Sequence, residues 1–219
     1  MPVAQDTALS LGAPAWTAVF SHRPSPTLLP DLSSVGDEAL MGRWQNGDLR
    51  AFQALYRRHR ASLHRYLLRM AASPAEAEEV FQEVWTAVVK GRAGWTPQAT
   101  FRTYLFSIAN RRLADSFRSR SRRSAEVFAQ PLEGEDAPQV PANDLDPEAG
   151  AQNSDLGRAL LAAIAALPAP QRQAFLLQAE AGLSLGEIAT TTGVPRETVK
   201  SRLRYASTRL RAELRDWRE

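Results

Sequence analysis

The groups able to do chemistry in this chain are arginines, carboxylates and hydroxyls; thiols are absent and imidazoles are few. Without Cys there is no thiolate nucleophile, no thiolate metal site and no disulfide framework. His22, His59 and His64 are too few and too poorly spaced for a zinc site. Glu79 and Glu83, at i and i+4, would offer a metal two carboxylates from one helix face. No Glu-x-x-His pair, Gly-rich phosphate loop or Ser/His/Asp set accompanies them. No catalytic residue, metal or cofactor is assigned, and a non-enzymatic role is expected.

What remains is polyelectrolyte chemistry. Of 27 Lys and Arg, only Lys90 and Lys200 are lysines; guanidinium suits phosphate and base-edge contacts. The net charge of +3 is unevenly spread. Residues 93–123 hold seven arginines, among them Arg111, Arg112, Arg118 and Arg120, against Asp115 alone. Residues 124–157 hold eight acids and no base, and cations return beyond. Basic, acidic, basic along a chain is a division of labour.

The stretch "GLSLGEIATTTGVPRETVKSRL", Gly182 to Leu203, orders its cations most sharply. Ser184 and Glu187 form a capping box that starts a helix. Ala189 allows close approach of a second helix, Gly193 supplies the positive φ of a sharp turn, and Val194 plugs the junction. Pro195 opens the next helix, and Val199 and Leu203 pack inward. Arg196, Thr198, Lys200, Ser201, Arg204 and Tyr205 then face outward. These offsets satisfy helix-turn-helix geometry, in which the second helix enters a major groove.

The elements that must position these groups are helical. Asp48 caps "LRAFQALYRRHRASLHRYLLRM", with Phe52, Leu55, Tyr56, Leu63, Tyr66, Leu67 and Met70 along one side. "SPAE", Ser73 to Glu76, reads as a capping box with Pro at the first helical position and starts "AEAEEVFQEVWTAVVKG", whose stripe is Val80, Phe81, Val84, Trp85, Val88 and Val89. "FRTYLFSIANRRLADSFRSRSRR" begins apolar and ends Arg-studded. No period-two alternation occurs, so an all-α fold is expected. Residues 1–36 read as a flexible extension. The Pro-, Gly- and acid-rich stretch at 124–153 is too long for a loop in a compact domain and reads as a flexible linker. No apolar run approaches the ~20 residues that cross a bilayer. No basic leader precedes an apolar N-terminal stretch, so a cytoplasmic protein without membrane insertion is expected.

In order along the chain, "GDLRAFQALYRRH", "AEEVFQEVW", "FRTYLFSIANRRLADSFRSRSRR" and "LPAPQRQAFLLQAEAGLSLGEIATTTGVPRETVKSRL" resemble segments of the extracytoplasmic-function group of the bacterial sigma-70 family. The resemblance covers about residues 37–123 and 154–216. It implies a region 2 bundle over 37–123 and a region 4 helix-turn-helix over 154–219. Partners implied are core RNA polymerase, promoter DNA and an anti-sigma protein.

On the resemblance, Glu78, Glu79, Gln82 and Glu83 meet the polymerase clamp helices. Asn110, Arg111, Arg112, Arg118 and Arg120, with Trp95 and Tyr104, read and melt the −10 element. Arg196, Thr198, Lys200, Ser201, Arg204 and Tyr205 read the −35 element. Exposed aromatics beside cations suit melted DNA, because base–aromatic stacking contributes about 1–3 kcal/mol per base. Tyr104 stands where the family usually has Trp, Arg111 where it commonly has Asn, and Glu197 where Gly is frequent; the −10 preference is expected to differ accordingly.

A flexible linker of about 35 residues would span roughly 30–35 Å. The family's two elements lie roughly 70 Å apart, at about 34–36 Å per helical turn, so polymerase is expected to hold the domains apart. A stand-alone helix-turn-helix regulator is the other reading. It would bind duplex operators without polymerase and show an apolar dimer seam, which the sequence does not offer.

Overall fold

Local side-chain bonds set the helix boundaries. In the computed structural model, which describes residues 32–128 and 155–215, Gly36 precedes α1 (Asp37–Gln45). Asp48 accepts N–H bonds from Arg50 and Ala51 and starts α2 (Leu49–Met70). Asp48 also meets Arg43 Nη2 at 2.7 Å, tying the start of α2 to the end of α1. Ser73 accepts from Glu76 N, and Pro74 opens α3 (Pro74–Lys90). The Glu76 carboxylate reaches Ala72 N rather than closing the reciprocal box.

A short turn, Arg92–Gly94, leads to α4 (Phe101–Phe128). This helix runs beyond the domain boundary expected at Arg123, because residues 101–130 contain neither Gly nor Pro to stop it. Then come α5 (Asp155–Ala165), α6 (Ala169–Ala179), α7 (Leu185–Thr192) and α8 (Arg196–Glu213). Among the described residues all regular structure is helical, as the sequence pattern requires.

Helices α1–α4 close on Phe52, Leu55, Leu63, Leu67, Trp85 and Phe106, each fully buried. Trp85 lies at the centre, edge-on to Phe52 with centroids 5.9 Å apart and tilted to Tyr56 at 4.8 Å. In α5–α8, Leu176, Leu177, Ile188, Val199 and Ala206 are buried in the same continuous apolar cluster.

Two features depart from expectation. The last residues of the expected flexible extension are fixed: Arg58 donates to the carbonyls of Leu32, Ser33 and Val35, and Leu32 is buried. Beside them buried His59 holds Asp37 at 2.7 Å. The rest of the extension, and most of the expected linker, lie outside the described residues. The two helical units, expected as separate bodies, pack directly on one another, α4 against α7 and α2 against α6.

Candidate nucleic-acid interface

The turn between α7 and α8 forms as its residues dictate. Ser184 and Glu187 make the full reciprocal box, with Ser184 N donating to Glu187 at 2.9 Å. Gly193 sits at φ 68° and ψ 25°, the left-handed conformation. A side chain there is strained by roughly 1–2 kcal/mol. Gly193→Ala should lower the unfolding free energy of the chain by about that amount. Urea denaturation checks this, and an unchanged midpoint would contradict it.

Val199 and Leu203 are buried, as is Ile188 of α7. Arg196, Lys200, Arg204 and Tyr205 are exposed, with Thr198 and Ser201 half-buried between them. The Arg204 guanidinium lies 5.0 Å from the Tyr205 ring centre, which holds the cation at the outer face of the helix. Glu197 stands 3.5 Å from Lys200 at the start of α8, complementing the helix N-terminus.

The second cationic surface runs along the distal half of α4. Arg111 and Arg118 are exposed, Arg118 pairing with Asp115 on its own helix. Arg112 Nε stands 3.7 Å from Glu83. Arg120 Nη1 meets Glu76 at 2.6 Å, and Ser116 also donates to Glu76. Arg112 and Arg120 are each 42% exposed. The Arg112–Glu83 pair is exposed on both sides and contributes about 0–1 kcal/mol, so phosphate can displace that carboxylate, whereas Glu76 is only 12% exposed and grips Arg120 from a more sheltered site.

Two of the sequence expectations on this surface need correction. Trp95, expected as a stacking platform, is buried in the core of the first unit, and Gln45 holds its carbonyl at 2.8 Å. Among the described side chains the exposed aromatic on α4 is instead Phe117, 61% exposed, with the Arg120 guanidinium 5.6 Å from its ring centre. Asn110, expected at DNA, is engaged by the second unit. It donates to the Thr191 carbonyl at 3.0 Å and accepts from Gln173. Tyr104 is half-buried, its hydroxyl so close over Gly91 that a Cβ there would lie 2.6 Å away.

On α3, Glu78, Glu79 and Glu83 are exposed and Gln82 is half-buried, on the side away from the apolar stripe, as its spacing requires. Gln82 donates to Glu78 at 3.0 Å. Among the described residues no group of three or more His, Asp or Glu is arranged to hold a metal. No helix among them is long and apolar enough to cross a membrane.

Sequence reading missed the long-range partners of three carboxylates: Glu76, Glu180 and Glu187. Glu187 accepts from Thr100 Oγ1 at 2.7 Å and from Thr103 Oγ1 at 2.9 Å. Burial opposes its charge, but the donors from Ser184, Thr100 and Thr103 outweigh this and bring its pKa down from 4.5 to about 2. Asp37 is likewise held below its ordinary value: burial works against its charge, and His59 and Arg58 overcome that.

Both folded pKa values are depressed, so the unfolded chain takes up protons first as pH falls. Glu187 therefore contributes stability above about pH 4.5 that is lost as pH falls towards about 2. Glu187→Gln should flatten the fall in melting temperature between about pH 5 and pH 3. A parallel fall in variant and parent would contradict the assignment.

With this geometry in view, comparison with known proteins is direct. Residues 55–123 match the model for Sigma-70 region 2, and residues 157–210 match that for Sigma-70, region 4. The chain is 33% identical over 197 residues to the ECF RNA polymerase sigma factor SigE of Mycolicibacterium smegmatis, covering 90% of this chain and 69% of that one. It is 34% identical over 171 residues to the ECF RNA polymerase sigma factor SigL of Mycobacterium tuberculosis, covering 75% and 89%. Among solved structures, the sigma factor RpoE in complex with the anti-sigma factor NepR from Bartonella quintana shares the fold. The TM-score is 0.56 at 21% identity, covering 75% of this chain and 96% of that one.

Proposed function

Because the chain belongs to the extracytoplasmic-function group of the sigma-70 family, we propose that its two helical units divide promoter recognition between α4 and α8. As an RNA polymerase sigma factor it binds core polymerase and directs promoter-specific initiation. Helices α1–α4 are the region 2 unit and α5–α8 the region 4 unit, with the acidic segment between Phe128 and Asp155 as the connection.

The observation that carries this division is the pair of exposed cationic helices, one in each unit. On α8, Arg196, Thr198, Lys200, Ser201, Arg204 and Tyr205 face outward to read the −35 duplex, where base contacts give specificity and phosphate contacts give register. On α4, Arg111, Arg112, Arg118 and Arg120 track the −10 backbone. Phe117 there offers a stacking face, which contributes about 1–3 kcal/mol per unpaired base. Melting then needs no chemical energy input and no catalytic group. The factor is an initiation subunit, and the polymerase supplies the chemistry.

Glu78, Glu79, Gln82 and Glu83 on α3 meet core polymerase. Glu79→Lys with Glu83→Lys should reduce co-elution with sigma-free core polymerase by roughly tenfold or more, as like-charge contacts across an interface cost several kcal/mol. Unchanged co-elution would remove α3 from that interface. An anti-sigma protein is the regulatory partner, a reading supported by the complex in which a protein of the same fold is held.

A further inference from the structure

One carboxylate draws together three groups at the junction of α3 and the distal half of α4. Glu76, in the first turn of α3, is only 12% exposed. Its Oε2 accepts from Ala72 N at 2.7 Å and from Arg120 Nη1 at 2.6 Å, and Ser116 donates to Oε1. Ser116 and Arg120 stand four residues apart on α4, so they share one side of that helix and a single carboxylate reaches both. Burial works against the charge of Glu76, and the bonds from Ser116, Ala72 and Arg120 overcome that and hold its pKa below the ordinary value. The carboxylate is thus a fixed anchor rather than a mobile surface acid.

Arg120 in turn faces Phe117, with the guanidinium 5.6 Å from the ring centre. Three residues apart, the two are neighbours on the helix surface, and Phe117 is exposed. Glu76 holds one nitrogen of a fork that carries five N–H groups. The rest of the fork can meet a phosphate while Glu76 keeps its hold and the guanidinium stays against Phe117. Another tie between the same helices differs in kind: Arg112 stands 3.7 Å from Glu83, and both partners are exposed.

We propose that Glu76 is a positioning residue for promoter melting: through Arg120 it fixes the Arg120–Phe117 pair in the geometry that captures an unpaired −10 base. The proposal rests on the reading above in which α4 meets the −10 element. Two arguments support it. The first is entropy. A long exposed side chain loses rotamer freedom when it binds, and one that is already held avoids that loss, roughly two- to tenfold in affinity for each side chain. The second is placement. Glu76 lies just ahead of Glu78, Glu79, Gln82 and Glu83 on the same helix, the face assigned to core polymerase. Seating α3 on polymerase therefore also sets the anchor from which Arg120 and Phe117 meet DNA.

Full-length variants assembled with core polymerase on the promoter upstream of the chain's own gene test this, with −10 opening followed by permanganate reactivity of the thymines. Glu76→Gln keeps the size and an acceptor oxygen but removes the charge that holds Arg120. It should lower opening by about tenfold, while co-elution with core and retention of the −35 duplex match the parent. On top of Arg120→Ala it should add less than about twofold, because the two residues act as one unit. Opening equal to the parent's overturns the proposal. So does the full loss repeated on top of Arg120→Ala, which marks a structural role. Faster opening overturns it too, because Glu76 would then be masking the cation. Ser116→Ala takes one tie from the same carboxylate without touching α3 and should lower opening about threefold. If Glu76→Gln no longer co-elutes with core, this variant decides, and unchanged opening there overturns the proposal. If Arg120→Ala and Phe117→Ala both open the promoter like the parent, the −10 reading of α4 falls, and the role of Glu76 falls with it.

Discussion

Replacing Lys200 and Arg204 together with alanine is expected to abolish promoter-directed transcription while the chain still co-elutes with core polymerase. Both side chains project from α8 away from the buried Val199 and Leu203, so their removal leaves the packing of the unit unchanged. Lys200 is 66% exposed, with Glu197 as its near partner, and that pair contributes little to folding. Each lost base or phosphate contact costs about 1–3 kcal/mol. The pair therefore costs about 2–6 kcal/mol, between roughly thirtyfold and twenty-five-thousandfold in affinity for the −35 element. Tyr205 adds a control, because losing its ring frees the Arg204 guanidinium without removing charge, and the effect should be smaller. A double variant with wild-type transcription would show that α8 does not read DNA.

Trp85→Ala is expected to have the largest effect on stability. The indole is fully buried between α2 and α3, in ring contact with Phe52, Tyr56 and Phe81. Its Nε1 has no hydrogen-bond partner among the described residues, so truncation removes packing without breaking a polar bond. Loss of a buried Trp side chain costs about 3–5 kcal/mol, a large share of the 5–15 kcal/mol that typically holds a domain together. Urea unfolding of the full chain should show a correspondingly early midpoint. A shift below about 1 kcal/mol would mean that the α1–α4 core closes elsewhere.

Much of this was legible in the residues, for a physical reason. Helix starts at Asp48, Ser73 and Ser184 and the turn at Gly193 are decided within three or four residues, and each formed where its local signal stood. The apolar stripes of α2 and α3 became core because spacing alone fixes which side chains share a face. The outward set on α8 followed from the same geometry.

What could not be read is which polar groups find each other across the chain. Glu187 carries a complete local explanation as a capping residue, and Glu76 stands where the sequence reads as a capping box that the fold leaves half-closed. Their bonds to Arg120, Thr100 and Thr103 depend on how helices pack. Asn110 sits in an arginine-rich segment and was expected at DNA, but its amide is engaged by the Thr191 carbonyl and by Gln173, partners far away in sequence. Trp95 carries the composition of a stacking residue and the position of a core residue, and burial decided between them. The closed packing of the two units had no signal in either sequence half, because its polar pairs join side chains that each look solvated alone.

The central claim is that this chain confers promoter specificity on core polymerase. Run-off transcription with sigma-free bacterial core polymerase, on the promoter upstream of the chain's own gene, tests it most directly. A discrete start that appears only when the protein is present is the predicted result. No specific transcript, together with no co-elution with core and tight binding of the isolated chain to duplex DNA, would contradict it.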